Sequence, residues 1–259
     1  MDTFNEYFLK NKIELLNCNL NKLDFNNSSV DIDKELDIYY KSTLIEQNYP
    51  NSHTDLASWK SNVYIYPNMD ERHRYIVDTI KKENYKKIID LGAGCGMISK
   101  YVYDANPQLE ELVCIENNSV HCSQMLENFK TNTDIILPNI EVNANIINTS
   151  LHNLKQFPDN YFDVGFTCTV LMHIPFIIAI PIMCEIARIC KNIINVENTN
   201  EMINCVVKGQ TKLKEEYYCI DYLKFYEKKN FEILEYKNIP DPVPKINCYY
   251  NLIHVRKNI

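Results

Sequence analysis

From residue 85 onward the chain alternates short apolar runs with amphipathic stretches. "KKIIDL" (86–91) reads as a buried strand and "MISKYVYDA" (97–105) as a helix. "ELVCIEN" (111–117) is the next strand, "SVHCSQMLENFK" (119–130) the next helix, and "IEVNANI" (140–146) a weaker strand signal. "YFDVGFTCTV" (161–170), "PIMCEIARICKN" (181–192) and "IINVEN" (193–198) continue as strand, helix, strand. "EEYYCIDYLKFYEKKN" (215–230) reads as a helix, and "FEILEYKNI" (231–239) and "YYNLIHVRK" (249–257) as two last strands. Apolar runs spaced by helical periods predict an α/β fold, a doubly wound and mostly parallel seven-stranded sheet with helices on both faces. Such a sheet binds ligands beyond the carboxyl ends of its strands.

The first eighty residues differ. They are polar and rich in Asn and Tyr, with helical periodicity in "FNEYFLKNKIELL" (4–16), "DIDKELDIYYKSTLIEQ" (31–47) and "MDERHRYIVDTIKKE" (69–83). The division expected is an N-terminal helical appendage covering the substrate, residues 1–79, and a ligand-binding domain, residues 80–259. Val164 to Cys184 carries no Asp, Glu, Lys or Arg over 21 residues. That length permits a membrane span, but Pro175 and Pro181 interrupt it. A buried strand, a loop and a buried helix is the expected reading.

Composition narrows the classes. Charged residues are 24% and net charge is −7, which argues against a nucleic-acid face built from clustered Lys and Arg. Ten cysteines occur without a C-x-x-C pair or a zinc-spaced Cys/His cluster, so no metal is expected. Many lie in apolar runs, as core thiols do. The charged opening "MDTFNEYFLKNKIELL" does not read as a secretory signal. A reduced, cytoplasmic protein is expected, with no membrane partner; a homodimer stays open.

Three of the five glycines, Gly92, Gly94 and Gly96, fall in one window of five residues. Glycine at that density suggests a loop that a ligand approaches. Three ligands compete. A phosphate-cradling G-x-x-x-x-G-K-[ST] is not met. A dinucleotide G-x-G-x-x-G/A would need a small residue where Met97 stands. The third pattern, D-x-G-x-G-x-G from Asp90 to Gly96, sets an acid before the glycines and favours a ligand with positive charge.

"IIDLGAGCG" resembles the first motif of the class I S-adenosylmethionine-dependent methyltransferases. "LVCIENN" (112–118) is similar to the family's second strand, which ends in an acid. "LKQFPDNYFDVGFTCTVLMHI" (154–174) resembles the run into and past its fourth strand. "CEIARICKN" (184–192) is similar to the following helix, with Asn192 where glycine is common. The resemblance covers roughly residues 75 to 257 and implies S-adenosyl-L-methionine as cofactor.

The resemblance also implies roles. Gly92, Ala93 and Gly94 let the cofactor approach the backbone, and Asp90 orients the loop and attracts the ammonium. Glu116 accepts both ribose hydroxyls, and Asn117 lies against the adenine edge. Ser150 and Leu151 meet the adenine, in a register that competes with Asn145. Thr167 to Thr169 flank the reacting centre. His173 is the candidate catalytic base, since an imidazole takes a proton near neutral pH. Trp59, Tyr64, Tyr66 and Arg72 in the appendage are substrate candidates, with Lys208, Lys212, Lys214, Tyr217 and Tyr218 after the fifth strand. The activity expected is O-methylation of a small polar metabolite, anionic or neutral, such as a sugar, nucleotide-linked or phosphorylated surface-glycan precursor. An NAD-dependent oxidoreductase and a non-catalytic S-adenosylmethionine-binding protein are the alternatives.

Overall fold

The computed structural model describes residues 71–130, 144–174, 176–200, 206–208, 216–240 and 248–258. The helices expected between 4 and 47 and the stretch 51–68 lie outside the described residues.

Seven strands form one sheet. In chain order they are β1 (Lys87–Leu91), β2 (Glu111–Glu116), β3 (Ala144–Asn148), β4 (Phe162–Cys168), β5 (Cys190–Asn200), β8 (Phe231–Pro240) and β9 (Cys248–Lys257). A two-stranded ribbon, β6 (Val206–Lys208) with β7 (Glu216–Tyr218), is inserted after β5. The order across the main sheet is β3-β2-β1-β4-β5-β9-β8. Pairs β1–β2, β1–β4, β2–β3 and β4–β5 are parallel, while β9 runs antiparallel to both neighbours. The chain leaves β1 toward β2 on one side and β4 lies on the other, so the strand order reverses beside β1. A crevice at the strand tips follows from that reversal.

Two apolar layers clothe the sheet. Helices α1 (Glu71–Glu83), α2 (Met97–Ala105) and α3 (Ser119–Lys130) cover one face, with Ile76, Ile80, Val102 and Met125 against Ile88, Leu112 and Phe166. Helices α4 (Phe176–Ile189) and α5 (Tyr222–Lys228) cover the other, with Ile182, Met183, Ile186, Phe225 and Tyr226 against Ile89, Val113 and Ile193. Neighbouring residues such as Ile88 and Ile89 serve opposite layers, as the period of a strand requires. Both faces are covered, which explains the near-continuous apolar runs that parallel strands show.

Most elements fall where the hydrophobic pattern puts them, and the departures have reasons. Helix α4 begins at Phe176, ahead of Pro181, which sits inside it. Proline costs an internal hydrogen bond, but burial of Ile178, Ala179, Ile182 and Met183 outweighs that loss. The helix expected from 215 starts only at Tyr222, where the Asp221 side chain accepts from the Lys224 N–H. Glu216–Tyr218 is strand instead, paired with Val206–Lys208. The expected division at 79/80 falls inside α1, whose Ile76, Val77 and Ile80 belong to the sheet's own core. Among the described residues no helix is long and apolar enough to cross a membrane; the uncharged 164–184 run divides between β4 and α4.

Gly165 shows how tightly the layers meet at mid-sheet. A Cβ there would lie 2.5 Å from Cys190 Sγ and 3.1 Å from Ile89 Cγ2. Overpacking of this kind costs about 1–3 kcal/mol. Gly165→Ala is expected to lower stability in urea melts by that amount, and Cys190→Ala in the same chain to recover part of it.

Candidate active site

The glycine loop joins β1 to α2, and each glycine has its own cause. Gly92 (φ 84°) lies under the turn after β4; a Cβ would stand 2.6–2.7 Å from both Val170 methyls. Gly96 (φ 76°) caps α2, and its missing side chain leaves room for Met125. Only Gly94 (φ 55°) has nothing within 4 Å of where a Cβ would be. Gly92 and Ala93 both donate their N–H to the Ile115 carbonyl at 2.9 Å, which ties the loop to the tip of β2.

Glu116 ends β2 and completes that tie. Its Oε2 accepts from the Gly94 N–H at 2.8 Å and its Oε1 from the Asn118 N–H at 2.8 Å. The His121 imidazole stands 3.8 Å from Oε1. Burial pushes the Glu116 carboxyl up, but the His121 ring and the two backbone donors outweigh it and hold the group below its usual value. Glu116 is therefore an anion at neutral pH. Each of its oxygens keeps a lone pair for a further donor.

Above these tips is a cavity of about 310 Å³, within the ~300–1,000 Å³ range of ligand pockets. Gly92, Gly94, Ile115, Glu116, Asn117 and His121 line it from the tips of β1 and β2, Thr149 and Leu151 from the end of β3, and Thr169, Val170, His173 and Ile174 from the turn after β4. Of the residues singled out in the sequence, Gly92, Gly94, Glu116, Asn117, Leu151 and His173 line this one cavity. Ser150 precedes the 3₁₀ turn Leu151–Gln156, between the lining residues Thr149 and Leu151. Asn145 pairs with Val113 in mid-strand, so the end of β3 reaches the cavity and Asn145 does not.

Three expected site residues are elsewhere. Asp90 is 4% exposed and does not line the cavity. It faces α2, where Ser99 Oγ donates to it at 2.5 Å and Cys114 Sγ donates to Ser99 at 3.2 Å. Asp90 stands beside Cys114, two residues short of Glu116 at the tip of β2, so it lies below the cavity that Glu116 lines. Thr167 is fully buried and its hydroxyl accepts from Asn195 Nδ2 at 2.7 Å; Thr169, two residues on, lines the cavity instead. Arg72 lies over the Tyr250 ring, 4.1 Å from its centre, and is not part of the lining. Trp59, Tyr64 and Tyr66 lie outside the described residues.

Sequence reasoning missed one group. Glu197 on β5 is fully buried, and its carboxylate accepts from the N–H of Val170 (3.0 Å) and of Met172 (3.1 Å). The turn it holds carries Thr169, Val170 and His173. The signal was present in "IINVEN": a period of two puts Asn195 and Glu197 on one face of a strand that has to be internal.

Burial pushes Asp90 up to about 7, against the Ser99 hydrogen bond and with help from the Glu116 charge. Burial likewise pushes Glu197 up to about 7, against the Thr167 hydroxyl and the backbone donors. Among the described residues no group of His, Cys, Asp and Glu could hold a metal ion.

Comparison with known proteins agrees with this geometry. Residues 57–154 match the family described as the methyltransferase small domain. That match spans the glycine loop and Glu116, and the strand order with one reversed strand completes the pattern. The fold is that of the class I S-adenosylmethionine-dependent methyltransferases, and the family match covers the stretch that carries the glycine loop. A search of curated proteins finds no match. Among solved structures, the Burkholderia thailandensis 1,6-didemethyltoxoflavin-N1-methyltransferase with bound 1,6-didemethyltoxoflavin and S-adenosylhomocysteine is 11% identical, with a TM-score of 0.56 over 89% of this chain and 92% of that one. The magnesium protoporphyrin IX methyltransferase of Synechocystis PCC 6803 with bound SAM is 12% identical, with a TM-score of 0.52 over 90% and 100%. The small RNA methyltransferase HEN1 is 13% identical, with a TM-score of 0.57 over 75% of this chain and 26% of that one. At these identities the likeness is one of fold.

Two buried acids with raised values give the chain a definite pH response. In the unfolded chain such carboxyls ionise near ~4; folded, Asp90 and Glu197 do so at about 7. Their contribution is full below the unfolded value and lost as pH rises through the folded one. Glu116 and Asp163 are shifted down, so theirs is lost as pH falls below the unfolded value. The melting temperature is expected to peak near pH ~5 and to fall toward pH 8. Asp90→Asn should flatten the alkaline side of that profile in thermal melts.

Proposed function

We propose that this methyltransferase transfers the methyl group of S-adenosylmethionine to a hydroxyl of a small polar acceptor. The single observation that carries the reading is Glu116: a buried anion at the cavity wall, held from behind by two backbone N–H groups and open toward the cavity. An anion with spare lone pairs fits a ribose diol, and Gly94 leaves room beside it. When bound, the cofactor supplies an electrophilic methyl on a good leaving group. The chain's own part is to align donor and acceptor and to exclude water, which contributes roughly 7–11 kcal/mol in well-oriented reactions. Asn117 would meet the adenine edge, with Thr149 and Leu151 beside it at the end of β3.

His173 supports the hydroxyl acceptor. It ends the 3₁₀ turn Leu171–His173 and is exposed at the cavity. As general base it takes the acceptor's O–H proton on a ring nitrogen as the new C–O bond forms and the bond from sulfur to the methyl carbon breaks. The RNA-directed relative shares the fold but this chain is acidic overall, which disfavours a polyanionic substrate.

Calorimetry with S-adenosylhomocysteine tests the cofactor half. The chain is expected to bind it, and Glu116→Gln to weaken binding about ten- to a hundredfold, the loss of hydrogen bonds to a charged acceptor. No heat of binding to the intact fold overturns the reading. For the acceptor half, nucleotide sugars, free sugars and short RNAs are screened for methylation. Turnover on the sugars is expected to fall about 10²–10⁴-fold in His173→Ala at unchanged cofactor affinity. Turnover confined to RNA overturns the acceptor assignment.

A further inference from the structure

The turn after β4 is strained and is held from below. Thr169 has φ 58°, a left-handed conformation that a β-branched residue rarely takes and that stores strain. Its N–H donates to the Val196 carbonyl at 2.8 Å and its hydroxyl to the Cys168 carbonyl at 2.7 Å. The next donors, the Val170 and Met172 N–H groups, converge on Glu197. Val170 in turn fills the niche that Gly92 leaves open.

Glu197 does not reach the cavity; it is fully buried on the α5 side of the sheet. The groups that face it there are uncharged. From β4 comes the Thr167 hydroxyl and from α5 the phenols of Tyr222 and Tyr226, whose values burial raises well above the ordinary. Tyr226 donates to Asn195 Oδ1, and Asn195 donates to Thr167. The Tyr222 hydroxyl is buried without a hydrogen-bond partner. A polar thread thus runs from α5 through Asn195 and Thr167 to Glu197, inside an otherwise apolar layer. A buried carboxylate is costly unless its acceptors are used, and the donors it uses are the backbone of the turn.

We propose that Glu197 is a positioning residue for the methyl-transfer site, fixing the strained turn 169–173 so that Val170 closes on the cofactor loop and His173 faces the acceptor. The inference rests on the cofactor reading above, because the wall it shapes is the wall of that site. It predicts that cofactor affinity depends on a carboxylate that the cofactor never touches.

The experiment combines hydrogen exchange with cofactor binding at pH 8, where Glu197 is ionised. In the unmutated chain the Val170 and Met172 amides should be protected from exchange, since the buried carboxylate is their acceptor. In Glu197→Gln the Val170 N–H, which reaches both carboxylate oxygens, faces an amide NH₂ on one side, and the oxygen left to it and to the Met172 N–H carries no charge. Exchange across 169–173 should then quicken about ten- to a hundredfold, while the β1 and β2 amides keep their rates. The dissociation constant for S-adenosylhomocysteine should rise about tenfold or more. Glu197→Asp keeps the charge and should recover part of both losses, which a mere change of core packing would not do. Should Glu197→Gln fail to fold, protection of the two amides in the unmutated chain and the partial losses in Glu197→Asp decide the matter. Free exchange of those amides in the unmutated chain, or variant affinity and loop exchange equal to those of the unmutated chain, overturns the proposal. A chain that binds no S-adenosylhomocysteine at all overturns the cofactor reading and this inference with it.

Discussion

Glu116 is bound on both oxygens by backbone N–H groups from different segments, and the geometry of the site depends on that double clasp. One donor belongs to the glycine loop and one to the turn that opens α3. The carboxylate therefore joins the tips of β1 and β2 at a fixed distance, and its own position is fixed in return. The Ile115 carbonyl repeats the tie one residue earlier by accepting from Gly92 and Ala93. Charge-assisted bonds of this kind are about twice as strong as neutral ones. The anion stays charged although nearly buried because those donors substitute for water.

The three acids of the sheet centre divide by face and by distance from the strand tips. Glu116 stands at a tip and meets open space. Asp90, two residues lower on the same face, points into the α2 layer and is answered by Ser99. Glu197 points into the α5 layer and is answered by the turn after β4. Burial raises all three, and only at Glu116 do the imidazole of His121 and the backbone donors outweigh it. Residue type alone would have treated all three alike.

This difference explains what the sequence could and could not disclose. The sheet was legible because parallel strands covered on both sides leave apolar runs, and "KKIIDL" and "ELVCIEN" stand at β1 and β2 within a residue or two. The glycine window and the acid at 116 were singled out in the sequence, and the fold brings them to one cavity. Asp90 lies below that cavity, because a motif gives the order of residues but not how far each stands from the tip of its strand. Thr167 and Thr169 part for a related reason: the strand ends at Cys168, and the left-handed residue that follows redirects the chain. The helix expected from 215 failed at a cap. Asp221 was the true start signal, and the tyrosines before it pair as a strand.

Val170 fits into the space left by Gly92, so the glycine loop and the turn after β4 share one pair of methyl groups. Neither can drift alone. A substitution that enlarged residue 170 would press on the loop at Gly92 as well as on its own turn. Strand β7 packs against Leu171–His173 too, so a change in that ribbon bears on the same turn.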